Sequence, residues 1–180
     1  TNKFAKNLSF VDDSSFYIDP YNTHNAVAGQ GTVGLEILDQ LSDKFNSGEL
    51  KELVVIVPMG GGGLISGVSC ALKSGLSHYE NLKNLKLRIV GVKLKDLNSK
   101  YGDAIKVETF GNHNQELITN LIERQFDISD EDMKKGIDFV FEDLRQKVEG
   151  ASAGTLAPIL QKLITPEASK AVVCVLSGSN

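Results

Sequence analysis

A chain of 180 residues, 41% apolar, with a formal net charge of −4 and no low-complexity tract or detectable repeat, has the composition of one ordinary globular domain. The mild acidity argues against nucleic acid as a partner, and no apolar run is long enough to cross a membrane. Cys70 and Cys174 fall in separate apolar segments without metal-ligand spacing, so a reducing, cytoplasmic setting is expected.

In chain order, Phe4 to Leu8 reads as the end of an amphipathic helix whose start lies outside the chain, and the amino end, which lacks an initiator Met, reads as cut. Phe16-Tyr17-Ile18 is a short strand candidate closed by Asp19-Pro20 and a polar loop through Asn25. Ala28-Gly29-Gln30-Gly31-Thr32 opens a helix with Thr32 as N-cap and Leu35, Leu38, Leu41 and Phe45 on one face. His24 and His78 are placed in polar loops, with no sign of a catalytic role.

The organising stretch follows. Leu53 to Val57 is a β-branched apolar run too short for a helix and suits a parallel strand covered on both faces. Pro58 ends its ladder, and Gly60, Gly61, Gly62 and Gly63 then allow φ > 0 and leave no Cβ in the way, so several N–H groups can point at one anion. A helix from about Leu64 adds its positive end, and a phosphate group is the expected occupant. A Walker-type loop is excluded because Gly67 is followed by Val68, where that loop needs Lys and Ser or Thr. A dinucleotide fingerprint is disfavoured: Ser66 takes the third glycine's place, and the next strand, Leu87 to Val92, runs into Lys93 where a ribose-binding acid is required. A glycine turn that only packs a helix against a sheet accounts for the same residues about as well.

The order β-α-β-α-β predicts a mostly parallel sheet flanked by helices, an α/β fold with right-handed crossovers. Beyond Lys93 the pattern predicts a helix over Gln115 to Glu123, a strand near Phe126 to Ile128, and a helix capped by Ser129 with Asp132, its buried stripe formed by Ile137, Val140, Phe141 and Leu144. Glu149 to Gly154 is a second small-residue turn leading into a helix through Leu163. The last strand, Ala171 to Leu176, ends at Ser177-Gly178-Ser179-Asn180. A polar turn at the carboxyl end of a buried parallel strand is where open α/β sheets bind ligands.

Four blocks stand in one order: Asp19-Pro20-Tyr21 through Ala28-Gly29-Gln30-Gly31-Thr32 and Glu36; Val57 to Leu64; Glu149-Gly150-Ala151 followed by Leu156-Ala157; and Val173 to Asn180. Together they resemble the fold-type II (tryptophan synthase β-like) pyridoxal-phosphate-dependent threonine/serine dehydratases and serine racemases. The resemblance implies the carboxyl-terminal part of such an enzyme, with residues 1–20 the tail of the small domain and 21–180 a portion of the large one. It implies pyridoxal 5′-phosphate as cofactor, with Gly60, Gly61, Gly62, Gly63 and Leu64 cradling its phosphate, Ser177 facing the pyridine nitrogen, and Glu149 near the ring orienting its neighbours, although a plain surface or helix-capping carboxylate accounts for Glu149 about as well. A hydroxyl does not hold that nitrogen protonated as a carboxylate does, which weakens the electron sink and favours β-elimination over transamination.

The implied reaction removes water from a hydroxy amino acid (threonine, serine or a hydroxyaspartate), giving a 2-keto acid and ammonia. It needs a Schiff-base lysine, which the family carries in an upstream Ser-x-Lys motif. None of this chain's lysines has that setting, Lys100 after Ser99 included, so no catalytic residue is assigned and the chain alone is expected to be inactive. Gly111-Asn112-His113-Asn114-Gln115 resembles the family's asparagine loop through its Gly-Asn-His letters but lies downstream of the phosphate turn, the wrong position, and is read as chance. Lys93 and Ser99 stand where relatives carry cation-binding acids, so no metal is expected; Lys93 either sets its own charge in that space or is simply solvated.

A homo-oligomer is implied for the full-length parent. The sheet of the piece is expected to carry an unpaired apolar edge. A serine racemase, a lysine-free cofactor- or amino-acid-binding module and a nicotinamide-binding domain are the other readings; the last lacks its acid near Lys93.

Overall fold

The computed structural model describes residues 4–5, 7, 14–78, 82 and 84–179. Leu8 and Asn180, which figure in the expectations above, lie outside the described residues. In chain order the elements are α1 (His24–Gln40), α2 (Ser42–Asn46), β1 (Glu52–Pro58), α3 (Gly63–Ser77), β2 (Lys86–Leu94), α4 (Asn112–Leu121), β3 (Arg124–Ile128), α5 (Asp130–Leu144), α6 (Gly150–Ala153), α7 (Ala157–Leu160) and β4 (Lys170–Cys174).

The strands form a four-stranded parallel sheet in the order β3-β2-β1-β4. β1 is fully enclosed from Leu53 onward because strands flank it on both edges and helices cover both faces. The alternation of a strand divides its side chains between two cores. Leu53, Val55, Val57 and Met59 join Ile65, Val68 and Leu72 of α3 on one face; Val54 and Ile56 join Val90, Val92, Ile128 and Met133 on the other. β4 is an edge strand of this sheet and all five of its residues are only half-buried.

α1 and α3 cross in close contact. A Cβ on Gly67 would stand 2.3 Å from the Val27 carbonyl oxygen, and one on Gly34 2.8 Å from that of Val68. The glycines of α1, which cost helix propensity, are thus explained where they face α3.

Several expectations are corrected. Residues 16–18 form no strand: Phe16 and Ile18 are 90% and 77% exposed, and the sheet has no position for them among the described residues. α1 begins a full two turns before Thr32, because the Thr23 hydroxyl accepts from Ala26 N and caps it there; Thr32 lies mid-helix and donates back to the Gly29 carbonyl. Leu35 is exposed while Leu38 and Phe45 are buried, since the chain re-starts as α2 after Leu41. His24 and His78 stand at helix ends, not in loops: His24 opens α1 and His78 caps α3.

α4 starts at Asn112 and stops at Leu121, two residues short of the expected Glu123. The capping box of Ser129 and Asp132 is present, yet the buried stripe of α5 is Met133, Gly136 and Val140, while Phe141 and Leu144 are exposed. Gly136 sets that rotation, because only a residue without Cβ lets α5 meet the Ala153 carbonyl at this approach. The expected helix through Leu163 is broken into α6, a 3-10 turn at Gly154–Leu156, and α7. β4 stops at Cys174, short of the expected Leu176.

Candidate functional site

The glycine turn lies at the carboxyl end of β1, as expected. Pro58 is the last strand residue, Met59 N still reaches the Val92 carbonyl at 2.8 Å, and the chain then turns into α3. Of the four glycines only Gly62 takes positive φ, +92°, as the N-cap of α3. Gly61 and Gly63 are required by crowding, and Gly60 is tightly bounded. A Cβ on Gly60 would lie 3.2 Å from the Ala104 carbonyl oxygen, one on Gly61 2.3 Å from the Tyr21 ring, and one on Gly63 2.9 Å from the Tyr21 carbonyl oxygen.

The protein therefore fills every direction in which side chains would grow from this turn. The N–H groups of Gly62 and of the first turn of α3 have no intrahelical carbonyl one turn back to accept them. Leu64 follows directly, half-buried, in that first turn. A doubly charged phosphate matches such an array of donors at a helix end.

The second expected part comes to the same end of the sheet. β4 pairs with β1 in parallel, Ile56 beside Cys174, and Val175 N donates to the Ile56 carbonyl at 3.0 Å, so Ser177 follows at the level of the glycine turn. Ser177 is exposed. The 177–178 turn is held from below by the small-residue segment: Glu149 N donates to the Gly178 carbonyl at 3.1 Å, and Gly178 N donates to the Ser152 hydroxyl at 2.7 Å. The same hydroxyl donates to the Gly178 carbonyl at 3.0 Å and stands 3.4 Å from the Ser177 Oγ. The Glu149 carboxylate packs against Gly178, where a Cβ would meet its Oε2 at 2.8 Å. Glu149 is thus a wall of the Ser177 turn.

Lys93, at the end of β2, forms an ion pair with Asp127 at 3.7 Å and lines a cleft of about 300 Å³ together with Met59, Leu97, Ile105 and Gln115. Ser99 is buried; its hydroxyl donates to Asp130, whose carboxylate also accepts from Lys100 N and is held below the usual carboxylate range by these bonds. Lys100 is exposed in that loop.

Three residues of the site were not foreseen. Tyr21 covers Gly61 and Gly63, Asn114 lies beneath Gly62, and Ser152 anchors the Ser177 turn. Tyr21 belongs to a noted motif without a role of its own; the only cue to Asn114 is that asparagine is a poor choice for the first turns of a helix unless its side chain bonds elsewhere.

Residues 1–178 match the family described as pyridoxal-phosphate dependent enzyme. The chain belongs to this family. Within it, the chain is 32% identical to an L-threonine ammonia-lyase of Thermotoga maritima over 181 residues, covering 91% of this chain and 41% of that protein. It is 28% identical to the catabolic L-threonine dehydratase of Escherichia coli, covering 93% and 52% respectively.

Among solved structures of the family's fold, serine racemase from Dictyostelium discoideum superposes with a TM-score of 0.77 at 23% identity, covering 99% of this chain and 57% of that one. A pyridoxal 5′-phosphate-dependent aspartate racemase gives 0.76 at 25% identity, with 99% and 56% covered. The α/β, fold-type II expectation stands, as does pyridoxal phosphate as the family's cofactor. The chain spans about half the length of the curated relatives it matches.

Proposed function

We propose that this chain is the phosphate- and ring-binding part of a pyridoxal-phosphate-dependent ammonia-lyase that removes water from threonine, serine or a hydroxyaspartate. In this reading residues 21–180 belong to the large domain and 1–20 are the tail of the small one. The observation that carries it is the meeting, at the carboxyl ends of β1 and β4, of a glycine turn whose side-chain directions are all filled with the Ser177 turn held by Ser152. The threonine-specific names of the sequence relatives support the substrate class.

Each residue then has a bounded task. The N–H groups of Gly60 to Leu64 bind the phosphate dianion, and the aligned peptides of α3 favour its charge. The Ser177 hydroxyl would face the pyridine nitrogen, and as a neutral group it would not hold that nitrogen protonated as a carboxylate would. Ser152 and the Glu149 main chain fix the Ser177 turn, so that hydroxyl is presented from a stiff support. Met59 and Ile105, both buried, flank the turn with apolar surface. When bound, pyridoxal phosphate supplies the electron withdrawal that makes the α-proton of an amino acid acidic and lets a β-substituent leave. The lysine that the reaction requires is assigned to a part of the enzyme outside this chain, and the chain by itself binds without turnover.

The test is titration of the 180-residue chain with pyridoxal phosphate, read by absorbance and by phosphorus-31 resonance and followed by borohydride reduction and peptide mapping. A phosphate shift without a covalently fixed lysine is the expected result. Covalent fixation at one defined lysine would give the chain its own nucleophile and overturn the division of labour. Absence of binding by a folded sample would leave a family member without the cofactor site. A racemase is distinguished in the parent enzyme by its product, a D-amino acid in place of a 2-keto acid.

A further inference from the structure

Asn114 packs against the glycine turn and is completely enclosed, at 0% exposure. It sits in the first turn of α4, and its side-chain amide spends both protons on main-chain oxygens: Nδ2 donates to the Tyr21 carbonyl at 2.7 Å and to the Gly61 carbonyl at 2.9 Å. The Gly61 carbonyl also accepts from Gly111 N at 3.2 Å, so two donors of the α4 start converge on one oxygen of the turn. The remaining atom, Oδ1, is buried without a hydrogen-bond partner. Reversing the amide would set an oxygen against two carbonyl oxygens, so the donors must face the turn. Among the described residues it therefore gives two hydrogen bonds to the main chain and receives none at Oδ1, so its side-chain bonding is all donation.

The consequence lies in the peptide that joins Gly61 to Gly62. A trans peptide is planar, and its N–H points opposite to its C=O. Fixing the Gly61 carbonyl toward α4 therefore aims the Gly62 N–H away from α4. Gly62, at φ +92°, is the turn's left-handed residue, the conformation that brings successive N–H groups to one side. Closing this hinge from below, Asn114 Cβ would be 2.9 Å from a Cβ on Gly62, so the turn rests directly on the asparagine.

We infer that Asn114 is the positioning residue of the anion cradle: through the Gly61 carbonyl it aims the Gly62 N–H at the phosphate, and through the Tyr21 carbonyl it holds the cover of the turn in place. It touches no ligand itself. The inference rests on the reading of the glycine turn as a phosphate site.

The probes are pyridoxine 5′-phosphate and pyridoxine, which share the ring, differ in the phosphate and carry no aldehyde to react with surface lysines. The wild-type chain is expected to bind the phosphorylated probe at least about tenfold more tightly, as hydrogen bonds to a charged group require. Asn114→Asp keeps the shape but loses the donors, and Asn114→Ala loses them without adding charge. Both are expected to weaken the phosphorylated probe by about tenfold or more while leaving the affinity for pyridoxine unchanged.

A purely structural role would lower both affinities together or shift only the melting temperature. Should Asn114→Asp fail to fold, Asn114→Ala gives the same reading. Wild-type preference for the phosphorylated probe that persists in the folded variants overturns the role of Asn114 and leaves the cofactor site standing. Absence of any preference in the folded wild type overturns the phosphate reading, and this inference with it.

Discussion

Replacing Gly67 by alanine tests whether the crossing of α1 and α3 is as close as described. The added Cβ would stand 2.3 Å from Val27 O, 2.6 Å from Gly31 N and 2.9 Å from Gln30 C, all of them main-chain atoms of α1 that no rotamer change can clear. Ordinary contact requires the helices to part by about 1 Å, and gaps of that order forfeit a quarter to a half of the dispersion energy across an interface. Overpacking costs up to about 3 kcal/mol where the obstacle cannot yield. The gain in helix propensity from Gly to Ala returns about 1 kcal/mol. The net loss is about 2 kcal/mol, which for a chain of this size lowers Tm by about 4–8 °C.

Circular dichroism melts and urea titrations measure it. Gly29→Ala in α1 is the internal control: nothing lies within 4 Å of its Cβ, so propensity acts alone and Tm should rise slightly. A Gly67→Ala protein that melts at or above the wild-type temperature would refute the crossing geometry.

Ser129→Ala removes the side-chain half of the α5 capping box, leaving the main-chain N–H of position 129 on Asp132, and should cost about 1 kcal/mol by urea unfolding; a change near zero would mean that the cap is not formed in solution. Ser152→Ala strips Gly178 N of its partner and leaves Gly178 O to Glu149 N, and hydrogen exchange at the Gly178 amide should accelerate about tenfold while β1 amides are unaffected; equal protection would remove Ser152 from the support of the Ser177 turn. The Arg88 guanidinium, hydrogen-bonded to both Glu123 oxygens, holds that carboxyl below its usual range against the opposing effect of burial. A depressed folded-state value means stabilisation that is full above the ordinary carboxylate range and lost as pH falls through the folded value. The stability gap between wild type and Arg88→Gln should therefore shrink on acidification from about pH 7 to about pH 3, and a constant gap would contradict it. Burial pushes the Cys174 thiol up to about 12, so in the native state it should resist iodoacetamide at neutral pH; labelling as fast as in urea would show that β4 is open.

The elements read most directly from the sequence are those whose signal is local. Leu53 to Val57 is apolar on both faces because it is central, and the glycines after Pro58 have no other use than a turn that brings main chain close to something. The Ser129 and Asp132 cap is likewise complete within four residues. What failed was decided by partners distant in sequence. Phe16 to Ile18 has strand composition and no neighbouring strand among the described residues.

On α5 the sequence offers Phe141 and Leu144 as the larger apolar pair, yet Gly136 against Ala153 turns them outward. Thr32 and Thr23 are equally good caps in isolation, and only the helix contact made by Gly31 and Gly34 requires the earlier start. The partners of Asn114 could not be read, because its two acceptors lie 93 and 53 residues away in the chain.

The crowding around Gly60 to Gly63 also bears on how such a site can change over generations of substitution. Its binding groups are main-chain atoms, and each Cβ direction is already taken by Tyr21, Ala104, Asn114 or Ile118. A side chain added at Gly61, Gly62 or Gly63 damages the scaffold before it offers a new contact, and one at Gly60 fits only if the Ala104 main chain gives by a few tenths of an ångström. Any drift toward a different ligand has to enter through the surrounding residues, with Tyr21 and Asn114 the earliest points of freedom, while the turn itself stays frozen.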